Sequence, residues 1–586
     1  MNIYLHQTHH LIADFKGIRN YLEGFFSNNH EKKGIHVFPE LFLTGYPLQD
    51  LCLKSSFINS YLDHLAEINN WCQKLSKTDD VLILIGGLKY KLTPSGLPEK
   101  LENVIFKLVP GRPIENIATK ILLPDYDIFD EKKYFTPGKT PTIFSWNKLQ
   151  IGLLVCEDMW PNSSYDIDPV LEIDSMNNKL DVIINLSASP YNLHKHNKRI
   201  KRACEISNIL KAPFVYTNRV GSEDGIIFDG ASFAVNGNNL VLNGKSFEKD
   251  ILSFKLPEYN CQDEQQCNSG MGTTWEGLFS PELVKGHGAT PIVRSLDEED
   301  CDEIIQALGF GVQEYAEKCG IKNFLVALSG GMDSSLVLAI LKLSLKKRQT
   351  LEAIYMPSEF STDLSFDLSK KLCKNLDIPL KIFPISELHN DCRDLFSKNI
   401  EAPLVDLADE NIQSRLRSTI LMARANQLNA IAINTSNKSE LAVGYSTIYG
   451  DSVGGISMLG DIYKSEVYML GKYLNKKHAQ IIPEEIITRP PSAELRENQK
   501  DIDSLPPYER LDAILEGILS YRLSLKDLVH MGFDSEEVCR VFQLYKNSEY
   551  KRIQFCPIVK IKAKSFGFGY RIPICKDSAF YFNERL

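Results

Sequence analysis

The segment S-G-G-M-D-S-S at 329–335 constrains this chain more than any other. It follows the apolar run NFLVAL (323–328) and leads into the apolar stretch SLVLAILKLSLKK (335–347). A short apolar run, a glycine pair and a longer apolar stretch read as strand, tight turn and helix. Gly330 and Gly331 let the backbone approach a bound group closely. The helix start adds free N–H groups and a positive dipole end. The turn therefore suits phosphate, with Ser329, Ser334 and Ser335 supplying hydroxyls. Asp333 is acidic, which beside phosphate calls for an intervening cation, and Mg2+ fits oxygen ligands. The spacing is not the G-x-x-x-x-G-K-[ST] of the P-loop.

The chain beyond this turn repeats the pattern. The runs LEAIYMP (351–357), PLKIFPI (379–385) and AIAINTS (430–436) alternate with helical stretches, one at 364–375 and one carrying Leu416, Ile420, Leu421 and Leu428. This predicts a doubly wound parallel sheet. The first half alternates too. GIHVFPE (34–40), VLILIGG (81–87), NVIFKLV (103–109), LQIGLLVCE (149–157), DVIINLSAS (181–189), PFVYTN (213–218) and GASFAVN (230–236) read as strands between helices such as 56–75 and 196–211. The fold class is α/β, with predicted domains at 1–255 and 295–586. The polar, aperiodic stretch 256–294 reads as a linker.

Composition narrows the function. The 586 residues carry a net charge of −9, which argues against a general nucleic-acid binder. The start, MNIYLHQTHH, lacks the layout of a signal peptide, and no apolar run reaches membrane-spanning length. No membrane partner is expected. The 13 cysteines are scattered without any C-x-x-C, which fits reduced thiols in a cytoplasm.

Three residues of the first half make chemical sense as a set: Glu40 at the end of GIHVFPE, Lys120 in ATKILLPDYD, and Cys156 at the end of LQIGLLVC. A cysteine thiolate is a nucleophile, a carboxylate can take and return its proton, and an ammonium can stabilise a developing oxyanion. They lie 80 and 36 residues apart, so only folding could assemble them.

PELFLTGYPLQDL, TKILLPDYDIFDEKKYF, CEDMWP and NLSASPYN resemble the glutamine-amidase branch of the nitrilase superfamily. SGGMDSS resembles the pyrophosphate loop of the ATP pyrophosphatases. With ENIQSRLR (410–417), NTSNKSELAVGYSTIYGD (434–451), GDIYKSEV (460–467), RPPSAELRENQKDIDSLPPYERLD (489–512) and SEYKR (548–552), the second half is similar to NAD synthetases. The whole resembles the glutamine-dependent NAD synthetases. That resemblance implies a nitrilase-like αββα sandwich and then a Rossmann-like synthetase domain. It implies a Cys156/Glu40/Lys120 triad, with Glu131 a supporting carboxylate and Tyr126, Ser189 and Lys195 holding glutamine. It assigns ATP to Ser329, Gly330, Gly331, Asp333, Ser334 and Thr435. It assigns deamido-NAD to Asn411, Glu440 and Lys551, and Mg2+ to Asp333 and Glu440. Asp461 and Lys464 fall on a motif expected in a loop that orders over substrate. The implied reaction amidates deamido-NAD at the expense of ATP, using ammonia from glutamine passed between the sites. The resemblance also implies homo-oligomers in which synthetase domains pair. The other readings are a lone amidase, a different adenylating amidotransferase and a nucleotide sensor.

Three positions depart from the family pattern: Ala13 stands where glycine is usual, Glu359 where a basic residue is common, and Met458 where proline is usual. His6, His9 and His10 lack acidic or cysteine partners at ligand spacing, so no metal site is expected there. HKHNKR (194–199) reads as a solvated helix start apart from Lys195.

Overall fold

A computed structural model describes residues 1–28, 33–256, 265–266, 295–497, 499–570 and 572–576. Apart from Leu256 and the strand Gln265–Gln266, the predicted linker lies outside the described residues. The chain divides into two compact units, Met1–Gly272 and Thr273–Leu586.

The first unit is built on two sheets. One runs, in spatial order, Asp250–Lys255, Asn2–Gln7, Gly34–Val37, Val81–Leu92, Pro98–Leu108 and Glu115–Thr119. The other runs Gln265–Gln266, Asn239–Asn243, Phe233–Asn236, Phe214–Asn218, Val182–Ser187, Leu149–Val155 and Thr142–Trp146. The period-2 rule explains how they stack. Leu82 and Leu84 join Ile3, Ile35, Ile151, Leu153 and Ile184 in a core between the sheets. Ile83 and Ile85, one residue on, face outward against Ile18, Phe57, Tyr61 and Ile68 of the helices Phe15–Asn28 and Ser55–Lys74. On the other sheet, Leu154 and Ile183 likewise pack outward against Ile200, Ala203 and Ile206 of the helix Lys195–Leu210. The result is helix, sheet, sheet, helix: the expected αββα sandwich.

The second unit holds a five-stranded, wholly parallel sheet. Its order is Leu380–Ile382, Thr350–Tyr355, Asn323–Ala327, Ala430–Asn434 and Ile456–Ser457. In chain order this is 3-2-1-4-5, the doubly wound arrangement. The order reverses between Asn323–Ala327 and Ala430–Asn434, and ligands of such sheets collect beyond the strand ends at that reversal. Both the 329–335 turn and the 435–440 segment leave the sheet there. A helical layer completes the unit: Leu511, Ile514 and Leu515 of Tyr508–Leu519 and Val538, Val541 and Phe542 of Ser535–Asn547 pack on Leu441, Ala442 and Val443. Met458, the proline departure, is fully buried.

Candidate active sites

In the first unit the three proposed residues converge at strand ends, with two adjustments. The strand before Glu40 stops at Val37, and Glu40 sits in the turn beyond it. Cys156 does not end its strand but opens a 3-10 turn, Cys156–Met159, with φ of 46°. A left-handed, non-glycine residue at a strand-to-helix junction is strained, and Cys156 stays buried there at the edge of the inter-sheet core. Two groups hold the strained turn. Asn185 Oδ1 accepts the Cys156 N–H at 2.8 Å. Asp158 Oδ2 accepts the Val155 N–H at 3.0 Å.

Lys120 lies one residue past its strand and is buried, as are Glu40 and Glu131. Its Nζ donates to Glu40 Oε1 at 2.8 Å and to Glu131 Oε1 at 2.9 Å. Asn103 Nδ2 and the Ala188 N–H also donate to Glu40, at 2.7 and 2.9 Å. Tyr46 donates to Glu131 at 2.9 Å. Burial disfavours the Lys120 charge, but Glu131 and Glu40 outweigh it and hold the ammonium well above its ordinary value. Burial pushes Glu131 up to about 7 against the pull of Lys120. Burial, then Glu40, pushes the Cys156 thiol well above its ordinary value, with Lys120 opposing. The resting nucleophile is thus a thiol that needs a base beside it.

Tyr126 donates to Glu157 at 2.9 Å, and so does Tyr165 at 3.1 Å. Burial raises Glu157 to about 7. Ser189 is buried, its N–H bonded to Asn218 Oδ1 at 2.9 Å and its Oγ to Arg199 at 3.2 Å. Lys195 opens its helix, and burial together with Arg199 lowers it to about 8, while Cys156 and Glu157 pull it upward. The basic run is not wholly a solvated helix start. Arg199 is completely buried and pairs with Asp229 at 2.6 Å, because that aspartate gives its guanidinium a fork to bind. His6 stacks on Phe38 and meets His36 at 3.0 Å. Glu157 and Asp158 lie in the CEDMWP string and Asn185 opens NLSASPYN, but the sequence assigns none of them a role, and Asn103 falls in none of the family strings.

In the second unit a cavity of about 280 Å³ is lined by Ser329, Gly331, Asp333, Ser334, Thr435 and Glu440 among others. Gly331 caps the helix Met332–Ser344. Gly330 has φ of 74°, and a Cβ there would lie 2.5 Å from the Ser365 carbonyl, so no other residue fits. Asp333 accepts from Asn437 Nδ2 at 2.9 Å and from Lys464 Nζ. Lys464 also reaches Glu440 at 3.4 Å. Burial, with Asp333 and Asp501 nearby and Lys464 opposing, raises Glu440 to about 8. Asn437 caps the helix Lys438–Val443 by accepting the Glu440 N–H at 3.0 Å.

Asn411 and Lys551 stand outside this lining. Thr447 donates to Asn411 at 2.6 Å, and Lys551 donates to the Gly444 and Ser446 carbonyls at 2.8 and 2.6 Å. Both therefore grip the chain from 444 to 447. Asp461 lies in a turn, as expected, but Lys464 does not. Lys464 opens the helix Lys464–Lys477. Asp461 is fully buried, accepting from Lys438 Nζ at 2.9 Å and from the Ile561 and Lys562 N–H groups at 2.8 and 2.7 Å. The family departure Glu359 pairs with Arg393 at 2.5 Å.

A magnesium ion fits this donor set. Three carboxylates, Asp333, Glu440 and Asp501, feel one another's charge around a single ammonium. Among the described residues no group of three or more His, Cys, Asp or Glu could by itself hold a metal. Mg2+ characteristically takes one or two carboxylates and completes its shell with substrate phosphates.

A sandwich with a buried Cys-Glu-Lys cluster, joined to a parallel sheet with a phosphate turn at its switch point, defines a two-domain amidotransferase. The carbon-nitrogen hydrolase family matches residues 13–256 and the NAD synthase family residues 304–555. A glutamine-dependent NAD(+) synthetase of Synechocystis sp. is 36 % identical, with 92 % of each chain covered. One from Aquifex aeolicus is 33 % identical over 98 % of this chain and 99 % of its own. The structure of the Acinetobacter baumannii enzyme with adenosine diphosphate is 29 % identical, covers 98 % of both chains and has a TM-score of 0.69. The Cytophaga hutchinsonii enzyme, 20 % identical with a TM-score of 0.76 over 100 % of this chain and 99 % of its own, shares the fold. The chain belongs to the glutamine-dependent NAD(+) synthetases. It is a carbon–nitrogen ligase that makes NAD with glutamine as amide donor and ATP as cosubstrate.

Proposed function

We propose a division of labour between two sites. In the first, Cys156 attacks the side-chain amide carbon of glutamine while Glu40 takes the thiol proton. Two of the three Lys120 N–H bonds are committed to Glu40 and Glu131, and the third serves the oxyanion. The Cys156 N–H is already bonded to Asn185, which leaves the ammonium as the donor of choice. The carbon–nitrogen bond breaks as Glu40 returns the proton to the leaving ammonia. Water, deprotonated by Glu40, then cleaves the thioester to glutamate. Tyr126, Ser189 and Lys195 hold glutamine, the last by its charge. The observation that carries this reading is the single ammonium buried between two carboxylates beside a strained cysteine.

In the second site the 329–335 turn and Thr435 bind the triphosphate of ATP. The carboxylate of deamido-NAD attacks the α-phosphorus, pyrophosphate leaves, and ammonia displaces AMP from the adenylate. Asp333 and Glu440 would hold Mg2+, which neutralises phosphate charge when bound. Lys464, now shared by those two carboxylates, turns to the phosphates. Asn411 and Lys551 shape the 444–447 segment against deamido-NAD. Free ammonia is mostly protonated at neutral pH and then has no lone pair to attack with, so it passes between the sites as neutral NH3.

The working form is a homo-oligomer paired through synthetase domains, in the cytoplasm. The helix Ser386–Ile400 and the start of Asp406–Leu428 leave Leu395, Phe396, Ile400, Val405 and Leu407 exposed, an apolar face that a second copy would cover. No described helix is long and apolar enough to cross a membrane.

The two-site reading is tested at Asp333. Asp333→Asn should abolish pyrophosphate release and NAD formation with either nitrogen source, yet keep glutamine hydrolysis measured without nucleotides. Retained synthesis would refute the assignment.

A further inference from the structure

Lys120 and Cys156 come from different strands, so something must fix their separation. Beyond Lys120 the chain leaves the strand Glu115–Thr119, and its next buried N–H groups need acceptors off the sheet. The Ile121 and Leu122 N–H groups donate instead to Asp158 Oδ1, at 3.0 and 2.8 Å. The other oxygen, Oδ2, accepts the Val155 N–H at 3.0 Å. One buried carboxylate thus ties the residue after Lys120 to the residue before Cys156. The Lys120 backbone is anchored on both sides as well. Its N–H donates to the Asn103 carbonyl at 2.9 Å, and its carbonyl accepts the Gly138 N–H at 2.7 Å. Asn103 in turn holds Glu40.

Resting on the amidase reading above, we propose that Asp158 is a positioning residue for the glutamine reaction, a three-point clamp that sets Lys120 against Cys156. It touches neither glutamine nor the reacting atoms, since its oxygens are taken by backbone donors. An error of about 1 Å between an oxyanion donor and a nucleophile costs on the order of 100-fold in rate. Asparagine keeps one acceptor oxygen and replaces the other by a donor, so it can serve the Lys120 side or the Cys156 side, not both.

Asp158→Asn should therefore lower kcat for glutamine hydrolysis about 10- to 100-fold with little change in KM. It should also move the pH profile of Cys156 alkylation by iodoacetamide upward, read at that cysteine by peptide mass spectrometry, because Lys120 assists the thiolate less. Ammonium-driven NAD synthesis should stay near wild type, while the thermal transition falls modestly, the cost of buried N–H groups left without an acceptor. Asp158→Glu, which keeps both oxygens, should recover part of the rate. A rise in KM alone, an unmoved alkylation profile, or loss of folding in both variants would overturn the proposal. If instead wild type hydrolyses no glutamine, or Cys156→Ala hydrolyses it as wild type does, it is the amidase reading that fails.

Discussion

At the scale of the residue, charge and burial decide what each side chain can do. Burial, and then Arg199, leaves the Lys195 ammonium at about 8. If that charge holds the carboxylate end of glutamine, raising the pH past 8 removes the proton and the attraction with it. KM for glutamine should climb there, while ammonium-driven synthesis gains from the larger fraction of neutral ammonia. Lys195→Arg keeps its proton and should push the climb to higher pH. A profile that Lys195→Arg leaves in place would mean Lys195 does not hold the substrate. The triad itself is legible in the sequence because a cysteine, a carboxylate and a lysine at predicted strand ends carry chemistry in their side chains. Asp158 and Asn185 lie in the quoted strings CEDMWP and NLSASPYN, but their roles are not legible, because what they hold is chiefly the backbone N–H of Val155, Cys156, Ile121 and Leu122, which leaves no residue pattern. Arg199 misleads for a related reason: its partner Asp229 is 30 residues away, so the local run shows only charge.

At the scale of the element, apolar runs reveal most of the buried strands, whereas Asn2–Gln7, with its polar Asn2, His6 and Gln7, escapes that reading although it lies inside its sheet. Leu149–Val155 and Val182–Ser187 are buried along nearly their whole length and read as apolar runs. Asp250–Lys255 alternates between half-buried and exposed positions and carries no such run. Position 13, where the sequence reading expects glycine, has a backbone that favours it. Ala13 has φ of 62°, just before the helix Phe15–Asn28, with its N–H bonded to the Thr44 carbonyl at 2.9 Å. A Cβ in that region costs on the order of 1 kcal/mol, and glycine's greater unfolded-state freedom offsets part of it. Ala13→Gly should raise the unfolding free energy measured in urea slightly, by up to about 1 kcal/mol, with activity unchanged. A loss of stability would show that the strain is absorbed elsewhere.

At the scale of the whole molecule, the chain carries a carbon-nitrogen hydrolase region and an NAD synthase region, and in the proposed scheme ammonia is the product of one and the substrate of the other. The proposed pairing of synthetase domains predicts that Leu395→Glu with Ile400→Glu lowers the mass measured by light scattering; an unchanged mass would place the interface elsewhere. The central claim is that glutamine enters only through Cys156 while NAD is made without it. The most direct measurement is NAD formation from ATP, Mg2+ and deamido-NAD in Cys156→Ala, with glutamine and with ammonium as nitrogen source. Loss of at least about 1,000-fold is expected with glutamine, the scale of removing a nucleophile, and near wild-type synthesis with ammonium. Continued use of glutamine, or failure with both nitrogen sources in a folded protein, would contradict the central claim.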